Sequence, residues 1–305
     1  MSSMRARRWW WCALALCAPL AADEPEVWWE RMQQAQSSLS YHGVLIVDGG
    51  QGWESLELRQ WVEAGKARQR LISLNGAPRE VVRGEQGVAS VDAVSDTRLA
   101  APLAANPGAS TLAALAPWYA VAAKGTDRVA GRPVQRLDLD ARDALRYGWR
   151  LWLDRDSGLV LRSERVAADG SVVERQMYAF VAIDGSDSKP LAAADSPVNP
   201  DQPEAEPGPP ALPGFVWRLR AQAIGPTGTE HWLMSDGLAY VSIYWQPESG
   251  PTRQSLQRFG ALSRLSASSE RGRWIMVGDV PPQALQNLLA GWQAHVAAAQ
   301  GAAPR

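Results

Sequence analysis

The sequence predicts an α+β protein: a large N-terminal antiparallel sheet followed by a smaller C-terminal antiparallel sheet with a packed helix. Three observations predict it. Apolar and polar residues alternate with period two through most of the chain, in short runs closed by Gly, Asn or Asp turns. Helical spacing is confined to a few segments, too few to supply the crossovers of a parallel sheet. A proline-rich stretch between Asp184 and Gly214, eight prolines in 31 residues, divides the pattern into two regions.

Composition narrows the class. The chain has 305 residues, 46% hydrophobic and 21% charged, which is globular and excludes a wholly disordered or fibrous protein. The net charge of −1 gives no electrostatic footprint for nucleic acid. Trp is abundant at 15 residues, each supplying a large apolar area with one polar handle.

Residues 1–22 read as a secretory signal. Arg5, Arg7 and Arg8 precede the apolar run Trp9 to Leu20, and the small residues Ala21 and Ala22 follow. Twelve residues are too short to span a bilayer as a helix. Cleavage near Ala22 takes the net charge from −1 to −4 and removes Cys12 and Cys17, the only cysteines. The mature chain is then expected to have no disulfide and no Cys-type zinc site, and to be soluble in the periplasm.

The elements follow in order. Pro25 suits a first helical turn that Asp23 can cap, and Val27, Trp28, Met32, Ala35 and Leu39 recur at helical spacing. Strands are expected over Tyr41 to Val47, Trp53 to Val62, Ala67 to Leu74, Arg79 to Arg83 and Val88 to Val91. Asn75-Gly76 is a strong hairpin signal. Thr111 to Tyr119 reads as a short helix interrupted by Pro117. Strands resume around the turn Ala130-Gly131-Arg132-Pro133, then over Trp149 to Leu153, Leu159 to Val166 and Val172 to Ile183, with turns at Asp156-Ser157-Gly158 and Asp169-Gly170. About nine strands and two helices give one large curved sheet.

In the second region, Phe215 to Arg220 alternates, and His231 to Met234 and Leu238 to Trp245 flank the turn Ser235-Asp236-Gly237. Phe259 to Ser266 and Trp274 to Val277 are further strands. Pro281 and Pro282 start a final helix, whose Leu285, Leu288, Leu289, Trp292 and Val296 form an amphipathic stripe. The expected organisation is a signal at 1–22, a large domain at 23–185, a linker at 186–211, a small domain at 212–298 and a tail at 299–305.

Catalytic patterns are missing. The sequence has no G-x-S-x-G elbow, P-loop or H-E-x-x-H, and His42, His231 and His295 lie far apart. Gly49-Gly50-Gln51-Gly52 is a hairpin loop rather than a phosphate cradle, since no helix-like segment follows. Glu54, Glu57, Asp138 and Asp140 alternate with apolar residues, as on a solvated sheet face. No enzyme activity, cofactor or metal is therefore expected. The Trp distribution suggests a binding surface instead: Trp53, Trp61, Trp118 and Trp149 are candidates to line an apolar groove for acyl chains or a hydrophobic peptide. Trp152 has the opposite strand parity to Trp149 and belongs to the other face.

Several ordered segments carry a resemblance. They are Arg31-Met32 through Tyr41, Asn75-Gly76-Ala77-Pro78-Arg79-Glu80-Val81-Val82 and Ala116-Pro117-Trp118-Tyr119. Trp152-Leu153-Asp154, Ser157-Gly158-Leu159 and Leu161-Arg162 follow, then Leu212-Pro213-Gly214-Phe215, Ser235-Asp236-Gly237-Leu238 and Val277-Gly278-Asp279-Val280-Pro281-Pro282. In these the sequence resembles the RseB/MucB family, periplasmic regulators of the sigma-E envelope-stress system. The resemblance implies an unclosed barrel like that of the lipoprotein carriers, with helices in its concavity, and a smaller C-terminal domain. It implies binding to the periplasmic segment of a membrane-bound anti-sigma factor, which is shielded from proteolysis until lipid or lipopolysaccharide fragments relieve the shielding. On that reading Leu212, Phe215, Ser235, Asp236 and Leu238 are candidate partner-facing residues, and a second copy of the chain is a further candidate partner. The alternative is a periplasmic lipid or lipoprotein carrier that uses the groove alone.

Overall fold

The computed structural model describes residues 24–50, 52–63, 66–76, 80–84, 87–90, 110–184, 210–224, 228–247, 250–270 and 272–301. The expected signal, most of the linker and the end of the tail lie outside them. The first helix, α1 (Pro25–Ser38), starts at Glu24 without a side-chain cap, and Pro25 occupies its first turn. Its Trp28, Trp29, Met32 and Ala35 are buried, the stripe that the spacing predicts. Trp29 Nε1 and Gln33 Nε2 both donate to the Ser110 carbonyl, at 2.9 and 3.0 Å. Arg31 donates to the carbonyls of Arg155 and Asp156. The helix is thus tied at two places to loops distant in sequence.

Ten strands form the large sheet: β1 (Tyr41–Asp48), β2 (Trp53–Glu63), β3 (Lys66–Ser73), β4 (Glu80–Gly84), β5 (Gly87–Ser90), β6 (Tyr119–Val129), β7 (Arg132–Ala141), β8 (Gly148–Asp154), β9 (Val160–Val166) and β10 (Val172–Ile183). Their spatial order is β5-β4-β3-β2-β1-β10-β9-β8-β7-β6, antiparallel throughout. β5 and β6 are its two edges, so the barrel is unclosed. α1 touches both β3 and β6, which stand far apart in that order, so the sheet curls around the helix. Inward side chains alternate as period two requires: Tyr41, Leu45 and Val47 on β1, Leu56 and Leu58 on β2, Trp149, Leu151 and Leu153 on β8. Trp152 faces the other way and is sandwiched between the guanidinium groups of Arg136 and Arg162, at 5.3 and 4.2 Å.

One expected element is different. The helix read over Thr111 to Tyr119 is only α2 (Leu112–Leu115), capped by the Thr111 hydroxyl. Pro117 cannot continue it, and Tyr119 already begins β6. The Ala-rich start of β6 carries little strand propensity of its own and is held by its pairing with β7.

The β6–β7 turn has Ala130 at φ 48° and Gly131 at φ 77°, a two-residue hairpin that needs positive φ at both positions. Alanine pays a steric penalty there that asparagine does not. Ala130→Asn is therefore expected to stabilise the chain by about 0.5–1 kcal/mol, read as a raised midpoint in urea with an unchanged slope.

A second turn is held by charge. Asp154, fully buried, receives Arg132 Nε and Nη2 at 2.8 and 2.9 Å, and the Ser157 N–H and hydroxyl at 3.0 and 2.6 Å. Burial pushes its carboxyl up, but the bonds from Arg132 and Ser157 outweigh that and hold it below the usual carboxylate range. A depressed folded pKa contributes stability that is present above the unfolded value and lost as pH falls through the folded one. Asp154→Asn is expected to cost about 2–4 kcal/mol at neutral pH. That cost should shrink progressively below about pH 4, measured by denaturant melts of both proteins across the acid range.

The small sheet has six strands: β11 (Val216–Ile224), β12 (Thr229–Ser235), β13 (Tyr240–Gln246), β14 (Arg253–Phe259), β15 (Leu262–Ser269) and β16 (Gly272–Gly278), in the order β11-β12-β13-β16-β15-β14. β14 was not expected from the sequence. Its Arg253-Gln-Ser-Leu-Gln-Arg-Phe run is polar because it is an edge strand exposed along most of its length. The last helix, α3 (Pro282–Gly301), lays Leu285, Leu288, Leu289 and Trp292 on one face of this sheet. Trp292 is the hub of an aromatic cluster, with ring centroids of Trp232, Trp274 and Trp217 at 5.0, 4.9 and 6.1 Å. Its Nε1 donates to the Pro210 carbonyl at 2.9 Å, which pins the chain entering this sheet. Five of the tryptophans therefore serve this core (Trp217, Trp232, Trp245, Trp274 and Trp292).

Candidate functional site

Inside the curled sheet lies a small cavity. It is lined by Tyr41, Leu45, Leu58, Gln69, Leu161 and Tyr178 among others. Its polar side is a network: Tyr41 Oη and Gln69 Nε2 both donate to Gln60 Oε1, at 3.3 and 2.7 Å. Gln60 Nε2 in turn donates to the carbonyls of Gln36 and Leu39 at the end of α1. Burial pushes the Tyr41 hydroxyl up to about 12 and raises that of Tyr178 as well, so both stay neutral. The cavity volume, about 50 Å³, admits a few water molecules.

The four candidate groove tryptophans are not brought together there. Trp53 is 58% exposed. It shares the outward parity of β2 with half-buried Trp61, since Leu56, Leu58 and Gln60 take the inward positions. Trp149 points inward but is 2% exposed, packed in the core around α1 and covered by the Arg165 guanidinium at 3.5 Å. Trp118 lies where the two sheets meet. The acids read as lying on a solvated sheet face are not gathered into a carboxylate pair. Asp138 is chelated by Arg136 at 2.6 Å, and Glu57 is exposed on β2, with four strands between β2 and β7. Among the described residues no three His, Cys, Asp or Glu gather into a metal site.

The strongest concentration of buried charge is at the junction of the two sheets. The hairpin after β12 places Asp236 so that Oδ1 accepts from the N–H groups of Leu238 and Ala239, at 2.9 and 2.8 Å. This is the Asx-turn chemistry that Ser235-Asp236-Gly237 predicts. Its Oδ2 accepts from Tyr119 Oη at 3.0 Å and from Arg146 Nη1 at 2.7 Å, both on the large sheet's side. The side chains of Arg146 and Asp236 are entirely buried. Arg146 also donates to the Pro213 carbonyl at 2.6 Å and to Asp143 at 3.1 Å, and its guanidinium stands 4.8, 5.7 and 5.4 Å from the rings of Trp118, Tyr119 and Phe215. Burial, followed by the Asp236 charge, raises the Tyr119 hydroxyl well above its ordinary value, so it remains a donor.

A second contact repeats the chemistry on the other side. Arg165 Nη1, on β9, donates to Asp279 Oδ2 at 3.1 Å, and Asp279 Oδ1 accepts from the Tyr240 N–H at 2.6 Å. Burial raises the Asp279 carboxyl although Arg165 opposes the shift. Glu174, on β10, accepts from the Ala261 N–H at 3.4 Å.

The candidate partner-facing residues sit in this junction. Leu212, Phe215, Ser235, Asp236 and Leu238 are all buried, and Leu238 packs into the large sheet's core with Leu115 and Tyr119. In this arrangement they fix one sheet against the other. Arg146, the centre of the junction, carried no signal in the sequence, since it lies in no motif. Asp279 did stand in the Val277 to Pro282 segment, without an assigned role. Two neutralised, aromatic-lined ion pairs can set a domain orientation; they offer no free base or nucleophile.

The comparisons with known proteins cover both sheets. Residues 24–201 match the model for the MucB/RseB N-terminal domain, and residues 212–293 match that for the MucB/RseB C-terminal domain. Sigma factor AlgU regulatory protein MucB of Pseudomonas aeruginosa is 29% identical, over 88% of this chain and 90% of its own. Sigma-E factor regulatory protein RseB of Escherichia coli K12 is 27% identical, over 85% of this chain and 87% of its own. Among solved structures, MucB in the Pseudomonas aeruginosa MucA/MucB complex aligns with a TM-score of 0.65 at 26% identity, covering 87% of this chain and 96% of that one. A further crystal structure of MucB gives the same TM-score at 27% identity, covering 86% and 94%. With matches to both domain models in order and the architecture shared from α1 to α3, the chain belongs to the MucB/RseB family.

Proposed function

We propose that this chain is a periplasmic negative regulator of envelope-stress signalling. It binds the periplasmic segment of a membrane-bound anti-sigma factor and shields it from the protease whose cut starts the response. It is exported by a cleavable signal over residues 1–22, acts by reversible binding without turnover, and releases its partner when lipid or lipopolysaccharide fragments bind. The observation that carries this reading is the likeness, over both sheets, to MucB solved in complex with MucA(peri). No helix among the described residues is long and apolar enough to cross a membrane, as a freely diffusing guard requires.

A flexible segment loses conformational freedom on binding, and two modules contacting different parts of it offset that cost through high effective concentration. The buried junction supports this by fixing the relative placement of the modules before the partner arrives. Release needs a ligand with different affinities for the bound and free forms.

The test is protection. The purified mature chain is mixed with the periplasmic segment of the same organism's anti-sigma factor and with the protease that cleaves it. The expected result is a cleavage half-life lengthened at least tenfold, shortened again by added lipopolysaccharide. An unchanged half-life without lipid sinks the regulatory reading. Transfer of acylated cargo between vesicles by the same preparation would favour the carrier.

A further inference from the structure

Among the described residues, the small sheet is covered on one face. α3 packs over Met234, Val241, Ile243, Leu265 and Met276. The strand register puts Leu233, Tyr244, Ile275 and Val277 together on the opposite face, each partly exposed, and no described element packs extensively there. Beside this apolar centre the same register sets three cations. Arg264 stands across from Val277, Arg273 is two residues from Ile275, and Arg253 continues the Arg273 row through Ser268. No Asp or Glu occupies a position on this face among the described residues. Arg273 Nε donates to the Ser266 hydroxyl at 3.2 Å.

The face also holds an unpartnered polar atom. His231 is stacked flat on Tyr244, with centroids 4.4 Å apart and planes 5° from parallel, and its Nε2 is buried without a hydrogen bond. A buried nitrogen without a partner is costly and is satisfied when another molecule supplies one.

We infer that this open face is where an extended segment of the anti-sigma factor, alternating apolar and acidic side chains, docks; the inference rests on the regulatory reading above. Side chains on one side of an extended chain repeat at about 6.7 Å, close to the spacing of alternate residues along each strand beneath. Apolar side chains then cover the Leu233–Ile275 centre while carboxylates meet Arg264, Arg273 and Arg253. Leu233, Tyr244, Ile275 and Val277 are each only partly exposed, which suits a chain lying flat on the sheet.

The experiment is a titration of the full mature chain with the anti-sigma periplasmic segment, followed by fluorescence anisotropy. Wild type is compared with Arg264→Glu/Arg273→Glu and with Ile275→Asp, and circular dichroism melts check each fold. Both variants are expected to bind at least tenfold more weakly. The wild-type affinity should fall steeply between 50 and 500 mM salt and that of the charge-reversed variant hardly at all; this salt range is a choice of conditions, roughly spanning weak to strong screening. If Ile275→Asp fails to fold, the charge-reversed pair, altered only at surface arginines, decides. Wild-type binding with the charge-reversed variant equally tight overturns the docking face and leaves the regulatory function standing. No binding by wild type overturns the regulatory reading itself. Loss of binding to phosphatidylglycerol vesicles with segment binding intact marks a membrane-facing surface and overturns the inference.

Discussion

Asp236→Ala is expected to destabilise the junction by about 3–5 kcal/mol and to split one unfolding transition into two. The substitution leaves the Arg146 guanidinium buried among aromatic rings without the carboxylate 2.7 Å away. It also strands the Tyr119 hydroxyl and the two N–H groups of the hairpin. The part-exposed Asp143 remains beside Arg146, but losing the buried partner of a buried charge is far costlier than losing an exposed ion pair. The measurement is denaturant unfolding followed by total Trp fluorescence and, separately, by far-ultraviolet circular dichroism. In the wild type the two curves should coincide as one step; in the variant each should resolve into two steps, since both sheets carry tryptophans and strands. Removing both partners, as Arg146→Met with Asp236→Leu, should recover part of the loss, because no orphan charge remains. A change below about 1 kcal/mol for Asp236→Ala, no more than an exposed pair gives, would show that apolar contact alone holds the two sheets.

Gly214→Ala should be nearly as damaging, by a different route. Gly214 has φ 77°, and a Cβ there would lie 2.3 Å from Trp118 Cε2. The indole cannot retreat freely, since the Arg146 guanidinium is 4.8 Å from its ring. Left-handed backbone strain and overpacking together predict a cost of about 2–4 kcal/mol. Trp118→Leu in the same chain should relieve the overpacking but not the strain. A partial recovery in thermal melts of the double variant separates the two contributions.

The fold was largely legible because period-two alternation and turn chemistry agree along most of the chain. Strands β1 to β3 and β8 to β10, and the stripe of α3, follow directly from those patterns. The start of β6 and all of β14 were not legible. Both are edge strands, whose one free side removes the need for alternating apolar residues, so their identity comes from the neighbour they pair with. The tryptophans were misleading for a related reason. Composition reveals that large apolar surface must be buried, but not against what, and five of them turned out to build the core between α3 and the small sheet. The hairpin Ser235-Asp236-Gly237 was recognised as a turn from its own chemistry. That its carboxylate would meet Arg146, ninety residues away, depends on tertiary structure, which no local pattern carries.

The pairing of β1 with β10 joins residues 41 and 183 at the middle of the large sheet. During synthesis the first of these strands emerges roughly ten to thirty seconds before the second, at ordinary elongation rates. Through that interval β1 has a neighbour on one side only, and its other row of amides and carbonyls is a template for mispairing with another nascent copy. The curled sheet therefore stays open along its middle until β10 arrives, and truncation before residue 183 is expected to leave an aggregation-prone half-shell rather than a smaller working module.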